Sequence, residues 1–261
     1  MSGWGLIGVV WTVAATGMFL LWLVQRRTHN AGIVDVAWSL GTGLAAATFA
    51  AFADGLPVRR ALVAALALAW GLRLGLHLAR RVRGEAEDVR YRDLREKLGH
   101  RFQPWILGFF QLQAIWIVLF ALPAFGAAQN RAPLGALDLL GVALWIVSVG
   151  GEGLADRQLA AFRREPSHRG RVCREGLWRY TRHPNYFFEW IHWWAYVALG
   201  FGGPGWPWLL LGPIAMYLFL RFVTGIPPTE ARLLASRGDA YRAYQRTTNA
   251  FFPGPPRSST S

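Results

Sequence analysis

The sequence predicts an all-α fold, a polytopic membrane bundle of about seven transmembrane helices. Three observations carry this. Hydrophobic residues make up 53% of the 261-residue chain and charged residues only 16%, less charge than a soluble domain of this length carries. Apolar runs of the ~20 residues needed to cross a hydrocarbon core of about 30 Å recur along the chain. Within them apolar residues follow one another without alternation. They therefore read as helices, which satisfy their own backbone hydrogen bonds in lipid, and not as barrel strands.

The spans follow in order. Span one, 4–24, has no basic stretch before its apolar run, so it reads as a membrane helix and not a cleaved leader. Span two, 32–53, carries Asp35 near its start. Span three, 58–79, ends on Arg73 and His77. A charged stretch, 85–98, reads as a surface helix before span four, 105–127. Span five, 134–154, ends on Glu152 with Asp156 just beyond. Span six, 186–201, is the shortest and opens with Glu189 and His192; span seven is 206–224. No linker composition divides the chain, so residues 1–253 read as one domain and 254–261 as a disordered tail.

Arginine sets the orientation, because short basic loops stay cytoplasmic. Arg80, Arg81, Arg83, Arg90, Arg92, Arg95, Lys97 and Arg101 lie between spans three and four. Arg157, Arg163, Arg164, Arg169, Arg171, Arg174, Arg179 and Arg182 lie between five and six. With both loops inside, the N-terminus is outside and the C-terminus cytoplasmic; only Arg59, Arg60 and Arg131 run against the trend. The net charge of +13 is then a matter of topology and anionic headgroups, and no nucleic-acid partner is expected. The single cysteine, Cys173, excludes an internal disulfide and a cysteine-cluster metal site, and no metal is expected. Membrane lipids and a hydrophobic small molecule are the expected partners; no obligate protein partner is evident.

Ionisable groups inside a bilayer are costly, about 2.5–3.5 kcal/mol at its centre, so each needs a reason. At about 1.5 Å per residue, Asp35 lies in the cytoplasmic half of span two, at the depth of Arg73 and His77. Arg73 and His77, four residues apart, share a helix face. An Asp35–Arg73 pair reads either as an ion pair fixing two helices or as part of a site. Glu152, Asp156, Glu189 and His192 converge in the same way in the second half. A hydrophilic cytosolic ligand meeting a lipid-embedded one fits this pattern, with arginine forks gripping phosphate or carboxylate.

One segment is more particular: Gly176-Leu-Trp-Arg-Tyr-Thr-Arg-His-Pro-Asn-Tyr-Phe-Phe-Glu189. Pro184 can start a helix whose positive end faces an anion. The stretch Arg182-His183-Pro184-Asn185-Tyr186 with Glu189 resembles the signature of membrane steroid 5-alpha-reductases and the bacterial proteins grouped with them. A shorter Arg-His-Pro-x-Tyr core is similar to that of isoprenylcysteine carboxyl methyltransferases. The resemblance implies a cofactor half, 131–253, and a lipid-substrate half, 1–130, in a bacterial inner membrane with the site open to the cytoplasm. It implies cofactor contacts from Asp156, Arg163 and Arg164 in Ala155-Asp-Arg-Gln-Leu-Ala-Ala-Phe-Arg-Arg164, and from Arg179, Tyr180, Arg182, His183, Asn185, Tyr186 and Glu189. Glu230, Arg237, Tyr241 and Tyr244, in a closing segment shared by both enzyme groups, join them; without the resemblance the two tyrosines read as interfacial anchors of an amphipathic helix.

The first half departs from the steroid reductases. Span two lacks their Gln-Glu pair, and Leu78, not tyrosine, follows His77. Instead Ile33-Val-Asp-Val-Ala-Trp38 and Glu87-Asp-Val-Arg-Tyr-Arg-Asp-Leu-Arg95 are similar to segments of the bacterial group. Phe188 stands where glycine is usual. The implied activity is hydride transfer from NADPH to the β-carbon of a lipid enone, with an acid beside the carbonyl oxygen. The catalytic candidates are Asp35, His77 and Tyr91; Trp38 and Arg73 are substrate candidates, in a cavity lined by Trp11, Trp22, Trp38, Trp70 and Trp116. Asp35 donates a proton if desolvation keeps it neutral, and cannot if Arg73 keeps it ionised. SAM-dependent methylation of a lipid or prenyl-thioether carboxylate is the rival activity, and non-enzymatic lipid binding the third.

Overall fold

In the computed structural model, which describes residues 2–84 and 89–257, the regular structure is helical, with no strand among the described residues. The α-helices are α1 (Gly3–Thr28), α2 (Ile33–Ala51), α3 (Pro57–Gly84), α4 (Val89–Leu98), α5 (Phe102–Ala128), α6 (Ala136–Arg164), α7 (Pro184–Gly200), α8 (Leu211–Leu218), α9 (Ile226–Arg237) and α10 (Asp239–Thr247). Six helical segments among the described residues are long and apolar enough to cross a membrane: α1, α2, α3, the α4–α5 stretch, α6 and the stretch from Trp206 through α9. Helix α7 has 17 residues, about 25 Å at 1.5 Å each, short of a hydrocarbon core of about 30 Å. The chain divides into two compact units, 1–133 with 202–206 and 134–201 with 207–261.

In the first unit α1 lays Leu6, Val10 and Met18 toward the core at four- and eight-residue spacing. Trp11, on another face, is 47% exposed. Helices α2 and α3 are antiparallel and meet through small residues: a Cβ on Gly43 would lie 2.9 Å from the Ala67 carbonyl oxygen, and one on Gly71 would lie 2.8 Å from that of Ser39. Lipid offers no hydrophobic drive between helices, so close backbone packing of this kind holds them.

The three dissenting arginines have a structural reason here. Arg59, 2% exposed, donates to the carbonyls of Asn130 (2.9 Å), Ala132 (2.7 Å) and Pro133 (3.2 Å). Arg60 donates to the Ala50 carbonyl at 3.0 Å and to that of Ala51, while Arg131 donates to that of Asp54 at 3.1 Å. They satisfy carbonyls at and beyond the C-terminal ends of α2 and α5, where helices carry negative partial charge.

In the second unit α6 runs ten residues past the expected span, carrying Asp156, Arg163 and Arg164 on its last turns. It pairs antiparallel with α7. A Cβ on Gly151 would lie 2.4 Å from the Phe188 ring, so α6 has a gap where α7 carries its unexpected phenylalanine. The seventh span is interrupted, with a 3-10 turn (Trp206–Leu210) before α8 and a π-helical turn (Phe219–Val223) after it. Helix α9 then restarts at Ile226 with proline in its first turn, where the missing N–H costs no intrahelical bond. Phe251 and Phe252 pack against Phe187, Trp190 and Tyr217. Beyond them the Gly254 N–H donates to the Tyr180 carbonyl (3.0 Å) and the Arg257 N–H to that of Thr247 (2.8 Å). Residues 254–257 of the expected tail are therefore held, and 258–261 lie outside the described residues.

Candidate functional site

The signature segment reaches α7 through a 3-10 turn at Gly176–Arg179, anchored by the buried Trp178, whose indole N–H donates to the Ala155 carbonyl at 3.0 Å. Arg182 and His183 then enter the interior together. The Arg182 Nε donates to Glu230 Oε1 at 2.7 Å; its Nη1 donates to the Gln245 carbonyl at 3.1 Å and to that of Thr248. His183 Nε2 lies 3.1 Å from the same Oε1, and Gln245 Nε2 donates to Oε2 at 2.7 Å. Burial pushes the His183 imidazole below its ordinary range, against the pull of Glu230, and the Arg182 and Arg221 charges lower it further. Its Nε2–H is then the donor to the carboxylate. Three residues expected at the cofactor thus grip one another, and the arginine fork closes the C-terminal segment onto α7.

Tyr244 belongs to the same clamp. Buried, it donates its hydroxyl to the carbonyls of Trp178 and, at 3.4 Å, Thr181, and burial pushes the phenol above the ordinary tyrosine range. Tyr241 is buried against it at 5.9 Å between rings, so neither is an interfacial anchor.

Past the clamp lies a polar seam. The His183 and Tyr186 rings stack at 5.3 Å, and the Tyr186 hydroxyl meets Thr229 Oγ1 at 3.2 Å. Gly151 against Phe188 and Gly141 against Ala195 place Glu152 level with Glu189 and Ser148 level with His192. All four are buried. In the first turn of α7, Asn185 Oδ1 is buried without a hydrogen-bond partner among the described residues. The sequence reading missed Arg221. It sits in the π-helical turn, close enough to act on His183, with its guanidinium over the Phe222 ring at 5.1 Å and no ion pair among the described residues. The available signal was an arginine at the end of an apolar run; π turns recur at functional sites.

The remaining cofactor candidates lie outside the clamp. Arg163, Arg164, Arg179, Tyr180 and Arg237 are exposed and Asp156 is half-buried.

The first unit gathers the catalytic candidates by depth. Contacts of the Gly32 position with Val82 and of Gly75 with Leu40 set Asp35 level with His77, and Arg73 about a turn before His77 in α3. Gly41 against Ile117 and Phe49 against Phe125 set Asp35 near the level of Phe109, whose ring lies 6.2 Å from that of the buried Tyr91. Trp38 meets Trp70 and Phe120 edge-on at 6.1 and 5.8 Å, and its indole nitrogen is buried without a partner. The expected five-tryptophan wall does not form. Trp11 is exposed, Trp70 is buried packing, and Trp22 ties α1 to Gln103 of α5 at 3.2 Å. Glu87 and Asp88 lie outside the described residues.

A family model described as "Protein of unknown function (DUF1295)" matches residues 21–248. The chain belongs to this family. The DUF1295 match spans both units and contains every candidate from Asp35 to Tyr244. No curated protein and no solved structure matches the chain.

Proposed function

We propose that this DUF1295 protein is a membrane-embedded reductase of the steroid 5-alpha-reductase-like group, in the superfamily shared with isoprenylcysteine carboxyl methyltransferases. It uses NADPH to saturate the carbon–carbon double bond of a steroid-like or other lipid enone. It spans the bacterial inner membrane seven times, α7 included, with the N-terminus outside and both arginine-rich loops and the C-terminus in the cytoplasm. Asn185 carries the reading: a buried carbonyl oxygen without a partner, at a helix N-terminus and in the signature segment, is an acceptor kept for an N–H of a ligand. Arg221, free of ion pairs, supplies the cation for that ligand's anionic groups.

When bound, NADPH would supply a hydride for the β-carbon, with the π electrons taken up at the carbonyl oxygen and a proton added at the α-carbon. The chain's part is to hold the carbonyl and the proton. Asp35 and His77, at one depth among apolar helices, are the acid pair for this, with Tyr91 closing from α4. SAM would satisfy Asn185 and Arg221 through its ammonium and carboxylate, but methyl transfer leaves Asp35 and His77 without a task.

Calorimetry on detergent-purified protein tests the reading, with NADPH and SAM titrated into wild type, Asn185→Ala and Arg221→Ala. NADPH should bind. Losing a hydrogen bond to a charged group costs about 1.5–3 kcal/mol, so Arg221→Ala should weaken binding roughly ten- to a hundredfold. SAM binding without NADPH binding would replace the reductase by the methyltransferase. If neither binds, both cofactor assignments fall.

A further inference from the structure

Beyond the seam, at the end of α6, the second unit opens a cleft of about 420 Å³ that none of the roles above uses. Its lining includes Gln158, Phe162, Glu165, His168, Cys173 and Glu175. Phe162 and His168 stack on one another, their rings 4.2 Å apart at 20°, with His168 Nδ1 3.3 Å from the Phe162 carbonyl. The Gln158 Oε1 already accepts the Leu177 N–H at 2.9 Å, which orients its amide. Among the described residues no group of three His, Cys, Asp or Glu side chains is arranged as metal ligands would be, so the Cys, His and Glu residues here do not read as a metal site.

The chemistry of the lining selects its occupant. Two carboxylates repel phosphate, so the anionic part of a ligand stays outside, where Arg163 and Arg164 follow Phe162 along the helix. A planar ring extends the Phe162–His168 stack. Glu165, which accepts from Ser167 Oγ at 3.3 Å, and Glu175 are exposed acceptors that favour an N–H donor, and the Gln158 amide N–H favours a ring acceptor. A purine base bearing an exocyclic amino group meets all three needs.

We propose that this cleft seats an adenine ring that extends the Phe162–His168 stack, with Glu165 or Glu175 accepting from its amino group, while Arg163 and Arg164 hold the attached anion. This rests on the nucleotide-cofactor reading above, and it specifies which end of the cofactor lies here. Adenosine is common to NADPH and SAM, so the chemistry is shared and fragments separate the sources.

Cys173, the chain's single cysteine, is buried against Ala155 and Trp178, so the test places a thiol at the exposed lining position instead, Ala161→Cys in a Cys173→Ser background. Labelling of the full-length protein in detergent with a fluorescent maleimide is timed with adenosine 2′,5′-bisphosphate, methylthioadenosine or nicotinamide mononucleotide present. The bisphosphate should slow labelling about tenfold at roughly ten times its Kd, while the mononucleotide leaves the rate unchanged. Ala161→Trp, which fills the cleft from an exposed position, should abolish the bisphosphate's binding heat at an unchanged melting temperature. Calorimetric binding of NADPH with no protection of the introduced thiol and no effect of Ala161→Trp overturns the cleft assignment and leaves the reductase standing. Protection by methylthioadenosine alone keeps the cleft and overturns the reductase.

Discussion

At the scale of single residues, the signature splits into two physical roles. Arg182 and Glu230 form a largely buried ion pair that the neutral His183 joins by hydrogen bond, and removing either charged member leaves the other uncompensated. Arg182→Ala or Glu230→Ala should therefore destabilise by about 3–5 kcal/mol, read by thermal unfolding in detergent. Asn185→Ala removes only an acceptor that has no partner, so its melting temperature should hold or rise while NADPH binding falls. The reverse pattern would make Asn185 structural and Arg182 a ligand contact. His183 adds a pH dependence. Burial holds its folded value below the ordinary 6.5, so below that pH the unfolded chain binds the proton and the folded one does not. Stability from this group is fully present above the unfolded value and is lost as pH falls through the folded one. Thermal midpoints between pH 8 and 5 should fall in wild type and fall less in His183→Gln.

At the scale of elements, α6 and α7 are matched by one exchange of bulk. Phe188 brings a ring into the contact, and Gly151 opposite leaves the ring its room. Gly151→Ala should destabilise by about 1–3 kcal/mol through overpacking, yet cost little in a Phe188→Gly background. A double-mutant cycle should give a coupling within the 0.5–3 kcal/mol typical of residues in contact. Additivity would mean that the two helices are held elsewhere. Nothing in either residue's local sequence announces the match, because the partners are 37 positions apart in the chain. The span lengths, by contrast, were legible: α1, α2, α3 and α5 begin and end within a few residues of their apolar runs. Each run must bury its own backbone polarity in lipid, which makes the signal local.

At the scale of the whole molecule, the arginine count predicts the orientation, and the three dissenters no longer weaken it. Arg59, Arg60 and Arg131 bind backbone carbonyls at helix ends and so do not report which side is cytoplasmic. In a Cys173→Ser background, Gly203→Cys should react with a membrane-impermeant maleimide in intact cells and Ser167→Cys only after permeabilisation. Reaction of both from the same side would remove α7 as a span; a reversed pattern would invert the protein.

What the sequence determined by itself is the solvent of this protein and the gathering of its ionisable residues at helix ends. Hydropathy, arginine bias and a fourteen-residue signature segment are one-dimensional signals, each set by the residues that carry it. Tertiary structure alone decided which of those charges are engaged. The acid that neutralises Arg182 lies 48 residues further along the chain, Asn185 keeps its oxygen unbonded because no described donor reaches it, and Arg221, in a π turn, makes no ion pair among the described residues. Whether a polar side chain holds the fold or waits for a ligand depends on what stands within about 3 Å of it, and that is a property of the packed chain.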